Sequence, residues 1–186
     1  MKAIATIAAL SSSFFTTASA EYFGLLSLRS ASPIHYQSVS ASDHSLWLNK
    51  PTGSFCPDNV KKIGGCPVGN TTDFTSADGT LSMGTVVPGG QQVYIEPETG
   101  AVKYTTAHSA AVPEGAIVTG WHRSEEGSLG YLKNEKGGFV ACPASGNDKD
   151  SWKVFIALEC VDFADACLSF DALASNLTEA SAWQYT

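Results

Sequence analysis

The stretch "QQVYIEPETGAVKYTT", residues 91–106, decides the fold. Apolar and polar residues alternate on both sides of "PETG", where proline presets one backbone angle and glycine tolerates a positive φ. With "PETG" as the loop of an antiparallel pair, Ile95 faces Val102 and Val93 faces Tyr104. The pattern therefore predicts a β-hairpin with one apolar face and one polar face.

Short strand-like runs recur along the rest of the chain, as in "YFGLLSL", "TLSMGTVV" and "WKVFIAL". No helical stripe of apolar residues is sustained before residue 160. We therefore predict an all-β fold, a compact antiparallel barrel or, as the alternative, a β-sandwich. Three similar openings, "FGLLSLR", "DGTLSMG" and "EGSLGYL", recur about every 50 residues and favour a β-trefoil-like barrel.

A second hairpin is predicted in "SLGYLKNEKGGFVAC", with residues 134–137 as its loop. In that register Tyr131 faces Val140, and Leu129 faces Cys142. Cys142 would then point with the apolar residues and pack as a buried thiol.

The chain is expected to have three segments. Residues 1–20 combine Lys2, an apolar run and "ASA" before Glu21, which is the pattern of a cleaved secretory signal peptide. Residues 21–160 would form the all-β domain. Residues 161–186 are alanine-rich and less strand-like, and we predict a C-terminal tail that packs on the domain with a short helical turn.

Charge and hydropathy restrict the partners. The chain has 18 acidic and 11 basic residues, a net charge of −7, and its longest basic run is Lys61-Lys62. Nucleic acid is not an expected partner, because phosphate recognition needs clustered Lys and Arg. No later apolar run approaches the roughly 18 residues of a membrane helix, and no lipid-anchor signal is expected. The expected location is extracellular.

Five cysteines follow the signal segment, and an oxidising compartment favours pairing of most of them. Cys56 and Cys66 enclose a short loop, as do Cys160 and Cys167, so two local disulfides are predicted. Cys142 would be the free thiol, although pairing of Cys142 with Cys160 stays open. The spacing does not fit a zinc site, and no metal or cofactor is expected.

Candidate catalytic groups lack the motifs that would make them an active site. No G-x-S-x-G or H-E-x-x-H motif is present, and the acidic residues lie mostly beside Gly or Pro in expected turns. We therefore expect no enzyme activity, although two carboxylates across a cleft would indicate a glycosidase. The groups considered are His35, His44, His108, His122, Asp78, Glu96, Glu98, Glu114, Glu125 and Glu126.

Carbohydrate contact is the alternative binding function. Exposed aromatic rings can stack on sugars, and Tyr94, Trp121 and Trp47 are candidates, although tryptophan in a short strand more often lies in the core. Two N-x-T sequons predict N-glycosylation at Asn70 and Asn176, which must then be exposed.

Several stretches together resemble the fungal PhiA-like cell-wall proteins, a family also labelled IgE-binding. They include "YFGLLSLRSASPIHYQ", "LWLNK", "GTLSMGTVVPGGQQVYIEPETGAVKYTTAHSA", "GFVACP" and "WKVFIAL". The resemblance implies a secreted, wall-associated, non-enzymatic glycoprotein linked to the development of spore-bearing cells. It also implies IgE antibodies as partners of some members. Wall polysaccharide is the partner expected under the alternative of a lectin-like module. A secreted effector is a further alternative. The family has no catalytic motif to transfer.

Overall fold

The computed structural model describes residues 21–124, 129–146 and 150–186, so the predicted signal peptide lies outside the described residues. In this part of the chain no helix is long and apolar enough to span a membrane. The elements are β1 (Tyr22–Leu28), β2 (Val39–Ser42), β3 (Ser45–Leu48), β4 (Ser54–Phe55), α1 (Asp58–Lys62), β5 (Phe74–Ala77), β6 (Thr80–Met83), β7 (Val93–Ile95), β8 (Val102–Tyr104), β9 (Trp121–Arg123), β10 (Leu129–Asn134), β11 (Phe139–Pro143), β12 (Trp152–Ile156), β13 (Leu168–Leu177) and β14 (Gln184–Tyr185).

Twelve strands form one antiparallel sheet, whose main path runs β6-β5-β1-β13-β11-β12-β3-β8-β7. The all-β prediction is confirmed. The favoured closed barrel is not found, because the end strands β6 and β7 form no ladder and are linked by the isolated pair of Ser82 with Gln92, the residue before β7. The arrangement is sandwich-like, which was the alternative. The three similar openings fall in β1, β6 and β10, but β1 and β10 both pair with β13 while β6 pairs with β5, so the strands do not form three equivalent units and the trefoil is not confirmed.

The hairpin of β7 and β8 has the predicted register. Ile95 pairs with Val102, Tyr94 with Lys103 and Val93 with Tyr104. Both strands bury their outer residues and leave the middle one half-buried. The alternation of apolar and polar residues in the sequence therefore predicts correctly which residues of this hairpin are buried.

The prediction of a second hairpin in "SLGYLKNEKGGFVAC" is wrong. Asn134 and Gly137 do form a tight turn, in which the Gly137 N–H donates to the Asn134 carbonyl at 3.3 Å. Beyond the turn the strands separate, because β10 pairs with β9 and β13 while β11 pairs with β12 and β13. Contacts with distant strands therefore replace the local ladder.

The C-terminal segment, residues 161–186, is part of the all-β unit and not a tail packed on it. Its strand β13 pairs with β1 over seven residues and with both β10 and β11. Ala172 and Ala174 of β13 are buried, so other groups pack closely over them. Alanine has a low strand propensity, which is why this stretch reads as less strand-like. The all-β unit therefore extends to β14, which pairs with β4.

One hydrophobic core connects these strands. It combines aromatic and aliphatic side chains, with the Phe23 ring tilted against that of Phe74 and Phe139 between Trp121 and Phe170. The sheet therefore supplies a rigid support for the loops at its surface.

Candidate functional site

The loop between β1 and β2 is fixed to the sheet through Ser27, which is fully buried. The Ser27 N–H donates to the Gln37 carbonyl at 2.9 Å, and the Tyr36 N–H donates to the Ser27 carbonyl at 2.8 Å. The Ser27 hydroxyl also contacts the carbonyls of Ile34 and Gln37. Because Ile34 is buried in the core, the loop is anchored by both packing and hydrogen bonds.

Tyr36 projects from this anchored loop. Its side chain is 65% exposed, and its φ of 59° lies in the left-handed region that non-glycine residues rarely adopt. The His35 ring lies 4.0 Å from the Tyr36 ring, centroid to centroid. His35 Nδ1 in turn accepts a hydrogen bond from the Arg29 N–H at 3.2 Å. The exposed tyrosine therefore has a fixed backbone and a supporting ring.

A surface cleft of about 590 Å³, which we call the Tyr36 cleft, begins at this residue. It is lined by residues 24–26, 36–40, 49–52 and 70–73, with Ser175 and Leu177. The wall formed by loops is rich in hydroxyl and amide groups, and β1 and β13 contribute Leu26 and Leu177.

Hydrogen bonds hold the polar wall of the Tyr36 cleft in place. The Thr52 and Thr72 hydroxyls are 2.9 Å apart, and Thr72 Oγ1 accepts the Ala41 N–H at 2.8 Å. Asn49 Nδ2 donates to the Asp150 carbonyl at 2.7 Å. The Lys50 ammonium is 2.8 Å from the Asp43 carboxylate, so its charge is balanced locally.

Asp73 borders the Tyr36 cleft and is fully buried. Burial raises the pKa of its carboxyl group, although Oδ2 accepts the Ser181 N–H at 2.5 Å. The Asp73 N–H donates to the Tyr185 hydroxyl at 2.9 Å, and the Tyr185 N–H donates to Gln91 Oε1 at 2.8 Å. These bonds connect the C-terminal segment to the core, which gives Asp73 a structural role.

Tyr94, one of the two predicted glycan contacts, is half-buried on the polar face of its hairpin. Beside it, the Lys103 ammonium is 2.6 Å from the Glu96 carboxylate, which also accepts the Thr99 hydroxyl at 2.7 Å. The hydrogen bond from Lys103 holds the pKa of Glu96 below its usual value. The polar groups of this face are therefore paired with one another.

The tryptophan candidates do not offer free rings. Trp121 is 2% exposed and packs against Phe139, so its prediction as a glycan contact is wrong. Trp47 is also buried, and the ammonium groups of Lys50 and Lys153 lie 4.2 and 5.6 Å from its ring centroid. Both tryptophan rings are therefore buried, as is usual for a large apolar side chain, and neither is exposed for stacking on a sugar.

The cysteine pairing is partly as predicted. Cys56 and Cys66 form a disulfide, but Cys142 pairs with Cys167, and Cys160 is free and exposed. The predictions of a Cys160–Cys167 bond and a free Cys142 are therefore wrong. The reason is topological, because β11 and β13 are paired neighbours and bring Cys142 close to Cys167.

Both predicted glycosylation sites are exposed, but their surroundings differ. Asn70 lies in a loop at the edge of the Tyr36 cleft. Asn176 is on β13, where its amide contacts the Arg123 guanidinium and the Glu21 carboxylate. A glycan on Asn176 would displace these contacts, whereas the Asn70 side chain makes no hydrogen bond with the described residues.

The histidines are dispersed over the described surface. His122 Nε2 is 2.6 Å from Glu135, and His44 Nε2 is 3.3 Å from the Thr106 hydroxyl. His44 also stacks on Tyr104, and His108 is an exposed loop residue. The described residues contain no group of three or more His, Cys, Asp or Glu that could hold a metal ion.

The carboxylates considered for catalysis are likewise not assembled. Asp78, Glu98 and Glu114 are exposed in turns and loops. Glu125 and Glu126 lie outside the described residues. Among Asp78, Glu98 and Glu114, which are described, the structure therefore does not assemble one site.

Sequence reasoning missed Tyr36 as a site residue. It lies in "IHYQSV", which reads as a strand because it alternates and contains β-branched and aromatic residues. In the structure residues 33–36 form turns. The preceding serines and Pro33 are the signal that indicates a turn instead.

Comparisons with known proteins identify the family. A secreted protein of Arthroderma benhamiae, described as uncharacterized, is 34% identical over 158 residues, which covers 80% of this chain and 77% of that protein. No solved structure is significantly similar to the chain. Residues 23–186 match the profile of the PhiA-like secreted proteins. The chain therefore belongs to the PhiA-like secreted protein family.

Proposed function

We propose that this protein is a non-enzymatic surface component of the fungal cell wall, secreted and then retained there. The observation that carries the proposal is the family match, which covers residues 23–186 and thus the whole set of strands. Glycosylation, a role in the development of spore-bearing cells and recognition by IgE are parts of the same proposal, and they rest on the family resemblance.

The use of the titratable groups supports a non-enzymatic role. Glu96 is paired with Lys103, His122 with Glu135, and Asp73 connects strands in the interior. An active site needs a nucleophile or acid next to an oriented partner in a cleft, whereas each of these groups is bonded within a different local pair or network. They stabilise local structure instead.

Fractionation of fungal walls tests the proposed location. Hot detergent releases adsorbed protein, reductant releases disulfide-linked protein, and alkali releases protein bound covalently through glycans. We expect the protein in at least one wall extract, and a Cys160→Ser variant shows whether the exposed thiol contributes. Recovery from the culture medium with none in the walls would contradict the proposal.

A second assay tests the absence of activity. The purified protein is incubated with isolated wall polysaccharides, and released reducing sugar is measured against a heat-denatured sample. We expect equal values, whereas release that depends on the native protein would show that it is a hydrolase.

A specific observation favours one second function, the binding of wall polysaccharide. Tyr36 is a large exposed ring at the mouth of a cleft with hydroxyl and amide walls. This observation leads to the next inference.

A further inference from the structure

We propose that the Tyr36 cleft binds a short segment of a neutral polysaccharide, with the Tyr36 ring as a stacking platform. The inference deepens the proposed wall association, on which it rests for the source of the ligand. It places the contact at a different surface from the Tyr94 face, which the sequence favoured.

The conformation of Tyr36 is the first argument. A non-glycine residue in the left-handed region is strained and persists when the surrounding structure enforces it. Ile34 provides the buried anchor of the same loop, so the fold does not need a tyrosine at position 36 for packing. Six other described non-glycine residues also have a positive φ, but among these seven Tyr36 is the large aromatic residue that is both exposed and part of a cleft lining, which fits contact with a ligand.

The rigidity of the platform is the second argument. The Tyr36 N–H is bonded to Ser27, the His35 ring supports the Tyr36 ring, and Arg29 fixes His35. The Arg29 guanidinium in turn donates to the Ser169 carbonyl of β13 at 2.7 Å. A ring held this way loses little conformational entropy when a ligand stacks on it.

The chemistry of the lining is the third argument, and it selects the ligand class. Hydroxyl and amide groups such as Thr52, Thr71 and Asn49 can donate to and accept from sugar hydroxyls. Leu26 and Leu177 give apolar surface for the C–H faces of a pyranose ring. The Lys50 charge is balanced by Asp43, and Asp73 is buried, so the lining does not favour a charged sugar or a phosphate.

An N-glycan on Asn70 would be a competing occupant of the Tyr36 cleft, so the test must distinguish it from an added polysaccharide. This sequon residue lines the Tyr36 cleft, so an N-glycan attached there would lie next to the same polar wall. An Asn70→Gln variant removes that glycan and leaves Tyr36 unchanged.

The experiment measures binding of the purified secreted protein to soluble β-1,3-gluco-oligosaccharides and chito-oligosaccharides by calorimetry. The variants are Tyr36→Ala, Tyr36→Phe and, as the matched control, Tyr94→Ala, which removes a half-buried tyrosine of another surface. Thermal unfolding of each variant reports the fold. Tyr36→Gly is a second folding control, because glycine relieves the left-handed strain while removing the ring.

We expect the parent protein, Tyr36→Phe, Tyr94→Ala and Asn70→Gln to bind one of the two oligosaccharide series. Tyr36→Ala and Tyr36→Gly should bind about tenfold more weakly or worse, as for an aromatic anchor of a binding site, without loss of thermal stability. Loss of affinity in Tyr94→Ala but not in Tyr36→Ala would overturn the inference. Binding that appears only in Asn70→Gln would also overturn it, because the cleft would then hold the protein's own glycan.

The outcome is separable from that of wall fractionation. Retention in the wall without oligosaccharide binding would contradict the cleft assignment and leave the wall role intact. Oligosaccharide binding by a protein absent from the wall would support the cleft and contradict the wall role.

Discussion

Asp73 and Glu96 are carboxyl groups whose surroundings shift their pKa values in opposite directions. Burial raises the pKa of Asp73, and the hydrogen bond from Lys103 lowers that of Glu96. The stabilising contribution of Asp73 is therefore present below its unfolded pKa and is lost as the pH rises through the raised folded value. That of Glu96 is present at neutral pH and is lost as the pH falls through the lowered value.

Two single substitutions test these signs. As the pH falls from 7 to about 4, near the pKa of an unfolded carboxyl group, the parent protein should gain unfolding free energy relative to Asp73→Asn. Relative to Glu96→Gln it should lose unfolding free energy as the pH falls further. Urea unfolding at several pH values measures both differences. If the difference in unfolding free energy between the parent protein and Asp73→Asn did not change with pH, the raised pKa of Asp73 would be contradicted.

The exposed Cys160 leads to a prediction about thiol labelling. With Cys142 and Cys167 joined and Cys160 free, the native protein should take up one alkylating reagent per chain without reduction. Cys160→Ser should take up none, measured by mass spectrometry. Labelling of the parent protein that requires denaturation would indicate a buried free thiol instead, as the sequence suggested for Cys142.

At the residue scale, burial was predictable where alternation was clear and not where a turn resembled a strand. Val93 and Ile95 were placed inward correctly because their hairpin is closed by a local turn. Trp121, a candidate glycan contact with the core as the stated alternative, is buried, and Tyr36 is not identified by the sequence pattern. The strand around Trp121 is three residues long, and a left-handed φ at Tyr36 leaves no mark in the residue pattern.

At the element scale, the β7–β8 hairpin and the β10–β11 pair show what limits the prediction of pairing. Both have a tight turn, but only the first pair stays together, because β10 and β11 each join β13. Such partners are distant in sequence and cannot be read from turn residues. The same contacts explain the missed disulfide, since Cys142 meets Cys167 only when β11 lies beside β13.

The turn before β11 provides a test with adjacent glycines. A Cβ at Gly137 would lie 2.0 Å from the Ala157 carbonyl oxygen, whereas one at Gly138 meets nothing within 4 Å. We expect Gly137→Ala to lower the unfolding free energy by about 2 kcal/mol, as overpacking does. Gly138→Ala should change it by about 0.5 kcal/mol or less, measured by urea unfolding. Equal effects of the two substitutions would show that the turn accommodates a Cβ at Gly137 without loss of unfolding free energy.

At the scale of the whole molecule, the first strand and the C-terminal strands of the described chain pair with distant partners. β1 pairs with β13 along its full length, and β14 pairs with β4. The carbonyl oxygen of Thr186 accepts the Asp43 N–H at 2.8 Å and the Tyr104 hydroxyl at 2.9 Å. Residues after position 160 are thus required to complete the sheet, and folding depends on pairing between strands that are far apart in sequence.

The two disulfides should therefore contribute unequally to stability. The Cys142–Cys167 bond closes a separation of 25 residues and connects two strands of the main sheet, whereas Cys56–Cys66 closes 10 residues around α1. Loop-closure entropy alone predicts losses of about 3.5 and about 2.7 kcal/mol when each pair is changed to serine. Both variants are made in a Cys160→Ser background, which prevents exchange with the free thiol, and unfolding free energies are measured in urea. A larger loss for the Cys56–Cys66 pair would show that stability depends on the α1 loop more than on the connection between β11 and β13.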